Sequence, residues 1–131
     1  MEVKKYFLLR LCVNQKIIIF VVKITFRDKR LEKLANNQRA MVRALGTIRA
    51  KKFRLRLQQL KFSDNLEEVR FMSGNCHELK GDRKGQWACD LDQPYRLIFA
   101  PLEVPIPTNV AGQYIWIEIL GLEIIEITNY H

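Results

Sequence analysis

Asn75–Ala100, NCHELKGDRKGQWACDLDQPYRLIFA, breaks into short apolar runs separated by turn residues, and that segmentation decides the fold. Gly81–Gly85 joins a strand ending near Lys80 to a second at Gln86–Leu91. Asp92, Gln93 and Pro94 mark the next reversal, because proline presets φ and aspartate bonds its own backbone. Tyr95–Ala100 is then a third strand. In strict alternation Tyr95, Leu97 and Phe99 point to one face and Arg96, Ile98 and Ala100 to the other. The hairpins therefore carry His77, Lys80, Arg83, Lys84 and Arg96, a surface suited to phosphate. A regular strand over Asn75–Lys80 would turn His77 and Lys80 to opposite faces, so a site using both requires Lys80 to lie in the turn or beyond a bulge.

Downstream, Pro101–Gly112 holds three prolines and reads as a loop. Tyr114–Thr128 is too long and too β-rich for an exposed loop. Gly121 divides it into a short piece and a terminal strand that returns Asn129, Tyr130 and His131 to the sheet. Upstream, Asp28 is placed to cap a helix carrying Leu31, Leu34 and Ala35, which Asn36 and Asn37 break. A second helical run contains Met41, Val42 and Leu45, and Gly46 supplies the positive φ that ends it. Thr47 then caps a longer helix reaching Lys61. Phe53, Leu57 and Leu60 form its buried stripe, widened by Ile48 and Leu55. Arg49, Lys52 and Arg56 share another face and could follow a phosphate backbone, or simply be solvated. Ser63 or Asp64 opens a short further turn through Leu66 and Val69, with Glu67 completing a capping box with Asp64.

The first residues, MEVKKYFLLRLCVNQKIIIFVV, are apolar, but Arg10, Asn14, Gln15 and Lys16 interrupt them before the roughly 20 residues of a spanning helix accumulate. No small-residue cleavage pattern of a signal peptide follows. Ile17–Phe26 reads as a strand, and Val3–Val13 is either a strand folded back on it as a hairpin through Asn14 and Gln15 or a disordered or helical extension. The whole is an α+β domain with helices on one face of an antiparallel meander, without internal repeat or low-complexity tract.

The chain has 131 residues, 48% of them hydrophobic, which is the size of one domain with one core. Its 22 Lys and Arg against 14 Asp and Glu give a formal charge of +8, favouring polyanionic partners such as nucleic acid, the ribosome or an acidic protein. Cys12, Cys76 and Cys89 are odd in number and lack CxxC spacing, so neither a disulfide framework nor a zinc site is indicated; a reducing cytoplasm fits, with all three as small buried residues. Trp87 and Trp116 read as core or partner-contact residues rather than base-stacking platforms.

HELKGDRKGQWACDLDQPYRLIF at 77–99, followed by EIIEITNYH at 123–131, closely resembles the HigB-like plasmid maintenance toxins of the RelE/ParE superfamily. A His-x-Leu-Lys-Gly segment, a Gly-Gln-aromatic strand, a Tyr-Arg-hydrophobic strand and a Tyr-His ending occur in order. ITFRDKRLEKL and the basic helix before SDNLEEV are a weaker echo. The resemblance covers Val22–His131. It makes residues 21–131 the toxin domain and residues 1–20 an N-terminal extension, either an extra strand or the product of a misassigned start.

The resemblance implies a RelE-like fold, with an N-terminal strand and helices on a small twisted, mainly antiparallel sheet. It implies the toxin of a type II toxin–antitoxin pair that enters the ribosomal A site and cuts messenger RNA without metal or other cofactor. The implied partners are the bacterial ribosome, messenger RNA and a helix-turn-helix antitoxin, through which alone DNA is contacted; no membrane is involved. Carried over by position, the catalytic set is His77, Lys80, Arg96, Tyr130 and His131. Asn129 stands where the family usually has Asp, and a neutral amide cannot orient a histidine as a carboxylate does.

Those residue types suit the chemistry. Attack of a ribose 2′-OH on the adjacent phosphate needs a base, an acid for the leaving 5′-oxygen, and cations on the phosphate oxygens. His77 is a candidate base or acid. His131, beside the chain's carboxylate, is expected to favour its protonated form. Lys80 offers a point charge and Arg96 a planar fork. Tyr130 can stack or donate its hydroxyl. Arg49, Lys52, Arg56, Arg83 and Lys84 are the candidate contacts to RNA or ribosome. Two other readings remain: a gyrase-poisoning toxin of the ParE kind, and a catalytically weakened homologue that only binds.

Overall fold

The computed structural model describes residues 5–10 and 16–129. Tyr130 and His131, two of the five residues of the expected catalytic set, lie outside the described residues, as does Cys12. The architecture is α+β: four helices and a mixed five-stranded sheet of order β3-β7-β6-β5-β4, plus a separate two-stranded sheet.

The separate sheet is a hairpin. Strand β1 (Lys5–Arg10) runs antiparallel to β2 (Lys16–Val21), with Lys5 opposite Val21 and Arg10 opposite Lys16. The expected single strand over Ile17–Phe26 is thus two strands, β2 and β3 (Lys23–Phe26), in different sheets. Val22 causes the break: it is buried, and its N–H leaves the ladder to donate to the Lys61 carbonyl at 2.7 Å. β3 then pairs parallel with β7 (Gly121–Thr128).

Helix α1 (Lys29–Ala35) begins at Asp28, whose carboxylate accepts from the Arg30 and Leu31 N–H groups. Asn36 ends it, and Asn37 caps α2 (Gln38–Leu45) by accepting from Ala40 N–H. Gly46, at φ +84°, closes α2 and is also the cap of α3 (Thr47–Lys61). Thr47 is therefore the first helical residue and not the cap; no side chain caps this helix. Phe53 and Leu60 are buried as expected, but Ile48 and Leu55 are 67% and 43% exposed, because they fall on the side of α3 turned away from the sheet. The short helix α4 (Leu66–Val69) is capped by Asn65, which accepts from Glu68 N–H. The expected Ser63 or Asp64 start fails for a local reason: the Ser63 hydroxyl donates back to the Leu60 carbonyl and closes α3.

The meander follows the turn residues closely. Strand β4 is only His77–Glu78, β5 is Trp87–Asp90 and β6 is Arg96–Pro101, all antiparallel. β4 ends two residues before Lys80, which opens a 3₁₀ turn at Gly81–Arg83, so Lys80 lies in the turn. Between Pro101 and β7, another 3₁₀ turn spans Trp116–Glu118. The helices cover one face of the sheet, where Trp87, Leu97, Phe99, Leu122 and Ile124 meet Phe53, Leu60, Leu66 and Val69 in one core. Burying each such side chain is worth about 1.5–3 kcal/mol. Trp87 and Trp116 meet edge to face at 5.5 Å between centroids and are both buried, so they are core residues.

Candidate active site

Among the described residues no helix packs on the second face of the sheet, and its rows follow from the strand register. Cross-strand partners point to the same side of a sheet. His77 pairs with Ala88, Ala88 with Ile98, and Ile98 with Glu126, giving one row across four strands. Two residues along, Asp90 pairs with Arg96 and Arg96 with Thr128, giving a second row on the same face. Ala88, Ile98 and Ile125, flanked by Leu79 and Ala100, form a small apolar floor. Strand spacing places the His77 and Arg96 Cα atoms about 12 Å apart, within reach of one phosphate once an arginine side chain is extended. The alternation expected of β6 holds, with Leu97 and Phe99 in the main core and Ile98 and Ala100 on the other face.

His77 is oriented by the turn before it. Gly74 and Asn75 both adopt positive φ, +103° and +50°, and this bend brings the Asn75 carbonyl to 2.7 Å from the His77 Nδ1. A carbonyl only accepts, so Nδ1 carries the proton and the lone pair of the neutral ring is on Nε2. Arg96 is set by Asp90 directly across the ladder, in an ion pair of 3.5 Å with side-chain exposures of 30% and 19%. Gln93 Nε2 donates to the other Asp90 oxygen at 3.4 Å. Arg83 leaves the turn and reaches over this face: its guanidinium donates to Gln86 Oε1 at 2.9 Å and to Glu126 Oε1 at 3.2 Å. The structure thus brings together His77, Arg83 and Arg96. Lys80 is exposed in the adjoining turn. Asn129, one residue past the Arg96 partner Thr128, is exposed.

The other expected cations are elsewhere and employed otherwise. Arg56 is only 5% exposed; Nε donates to the Asp90 carbonyl at 2.8 Å and Nη1 to Gln59 Oε1 at 3.0 Å. Arg49 forks onto Asp92 at 3.0 and 3.2 Å and lies 3.4 Å over the Tyr95 ring. Of the three cations expected to follow a phosphate backbone along α3, these two therefore hold the helix to the meander. Lys52 is half-buried. Lys84 sits 5.6 Å over the Tyr114 ring, away from the helix-free face. Asp90, Asn75 and Glu126 were missed as site residues. The hairpin register that sets Asp90 opposite Arg96 was legible from the Asp92-Gln93-Pro94 turn; the backbone role of Asn75 left no signal.

Among the described residues there is no grouping of three or more His, Cys, Asp or Glu side chains able to hold a metal ion, and no helix is long and apolar enough to cross a membrane. The fold and site define an α+β domain with a histidine and two arginines on the helix-free sheet face, whose apolar centre is buried. Comparison of the chain with models of protein families, with curated proteins and with solved structures gives no match in any of the three.

Proposed function

We propose that this chain is a type II toxin of the RelE/HigB-like kind, a metal-independent endoribonuclease that cuts messenger RNA on the ribosome and is neutralised by a cognate antitoxin. One observation carries the reading: His77, with its Nε2 lone pair unengaged by the Asn75 bond, and Arg96, held by Asp90, occupy one helix-free sheet face. In the proposed reaction Nε2 takes the proton of a ribose 2′-OH as its oxygen bonds to phosphorus. Arg96 meets the charge growing on the phosphate oxygens, with Lys80 and Arg83 nearby. The P–O5′ bond breaks as an acid gives the leaving oxygen its proton, leaving a 2′,3′-cyclic phosphate and a 5′-hydroxyl. The family resemblance assigns that acid, and a stacking group, to His131 and Tyr130.

Primer-extension mapping of a translated message tests this. Cuts are expected only with ribosomes present, and His77→Ala is expected to lower their rate by about a hundred- to ten-thousand-fold without changing the urea midpoint. Unaltered messages on expression of the unsubstituted chain, or equal cutting by His77→Ala, refute it. DNA damage with blocked supercoiling, and intact messages, would instead indicate a gyrase poison.

A further inference from the structure

The side of α3 turned to solvent is apolar where a surface helix is ordinarily polar. Ile48, Leu55 and Phe62 recur at seven-residue intervals and are 67%, 43% and 53% exposed, while Ala50, Phe53, Arg56 and Leu60 face the protein. At 100° per residue a seven-residue step falls about 20° short of two turns, so the three side chains make one nearly axial stripe with members about 10.5 Å apart. The helix TIRAKKFRLRLQQLK contains no acidic residue. Arg49 and Arg56 are committed to Asp92 and to the Asp90 carbonyl, which leaves Lys51, Lys52 and Arg54 beside the stripe. Among the described residues none of these three forms an ion pair.

Two occupants belonging to this chain are disfavoured by charge. Val22 is hydrogen-bonded to the Lys61 carbonyl at the end of α3, but residues 1–21, which precede it in sequence, carry Lys4, Lys5, Arg10 and Lys16 against Glu2 alone. A second copy of α3 would set cations against cations. We propose that the outer face of α3 docks an acidic amphipathic helix of a partner protein. The partner's apolar residues at heptad spacing pack on Ile48, Leu55 and Phe62, and its carboxylates meet Lys51, Lys52 and Arg54. This face is on the opposite side of the sheet from His77 and Arg96, so the bound partner leaves the helix-free face open. The inference does not depend on the nuclease reading.

The probe is a fluorescein-labelled three-heptad peptide with leucine at positions a and d and mostly glutamate elsewhere, titrated with the full chain by anisotropy. A scrambled peptide of equal composition is the control. Saturable binding at least tenfold tighter than the scramble is expected, weakened at least tenfold by Leu55→Glu while the urea midpoint holds. Equal binding of the two peptides, or no effect of Leu55→Glu, overturns the proposal. A fall in the midpoint of Leu55→Glu would show the face already covered by the chain itself. Self-association in sedimentation that Leu55→Glu abolishes would show a second copy as the occupant. Either also overturns it, and cleavage by the chain would be untouched in each case.

Discussion

Replacing Arg56 by alanine is predicted to destabilise the protein rather than simply weaken its grip on RNA. The guanidinium joins three elements: α3, which bears it; β5, through the Asp90 carbonyl; and the turn before His77, through Ser73 Oγ at 3.4 Å. It also packs flat on Gly74, where a β-carbon would stand 2.6 Å from Arg56 Cζ. A hydrogen bond from a charged donor to a buried acceptor contributes roughly 1.5–3 kcal/mol. With the packing of the aliphatic stem added, Arg56→Ala should cost about 3 kcal/mol, a large part of the roughly 5–15 kcal/mol of a whole domain.

Gly74→Ala supplies the second leg of a cycle. Its cost has two parts: about 1 kcal/mol for a side chain at φ +103°, and about 1–3 kcal/mol for the overlap with Arg56. Only the overlap disappears in the double variant, so Gly74→Ala should be cheaper in the Arg56→Ala background by about 1–3 kcal/mol. Urea unfolding followed by the fluorescence of buried Trp87 and Trp116 reads all four proteins without RNA. An unchanged midpoint for Arg56→Ala together with weakened RNA binding would restore the phosphate-tracking role expected from sequence. Strictly additive costs would refute the contact with Gly74.

Arg96→Lys keeps the charge but loses the planar fork, and should lower cleavage at least about tenfold with little change in urea midpoint. Asn129→Asp should raise the single-turnover cleavage rate several-fold by supplying a carboxylate beside Tyr130 and His131; an equal or lower rate refutes that role. Cys76 and Cys89 lie with sulfurs 2.7 Å apart; the Cys89 thiol bond lowers the Cys76 pKa, and the same bond with burial raises that of Cys89. Between the folded Cys76 pKa and the ordinary thiol value the unfolded chain holds more protons, so stability rises with pH; above that value it holds fewer, so stability falls. Urea midpoints should trace both limbs, and Cys76→Ala should remove the rising one.

The parts of this protein that were legible in sequence are those fixed by local rules. Asp28 and Gly46 terminate helices through one side chain or one dihedral, and the turns at Gly81–Gly85 and Asp92–Pro94 set a register from which the second row, Asp90 opposite Arg96, follows. The failures share one cause, a hydrogen-bond partner that the residue pattern does not show, distant in one case and local in the other. Val22 splits a continuous apolar run because the Lys61 carbonyl takes its N–H, and Ser63 does not cap because the Leu60 carbonyl takes its hydroxyl. Arg56 matters most. On a helical wheel it stands with Arg49 and Lys52 as a solvated or phosphate-binding stripe, yet the third dimension supplies an Asp90 carbonyl at 2.8 Å and a glycine flat enough to receive it. The same burial that removes Arg56 from the RNA-binding set gives it an indirect part in the site. It holds the strand whose Asp90 orients Arg96 and the turn whose Asn75 carbonyl orients His77. Loss of Arg56 should therefore disturb both proposed catalytic groups at once, although it touches neither.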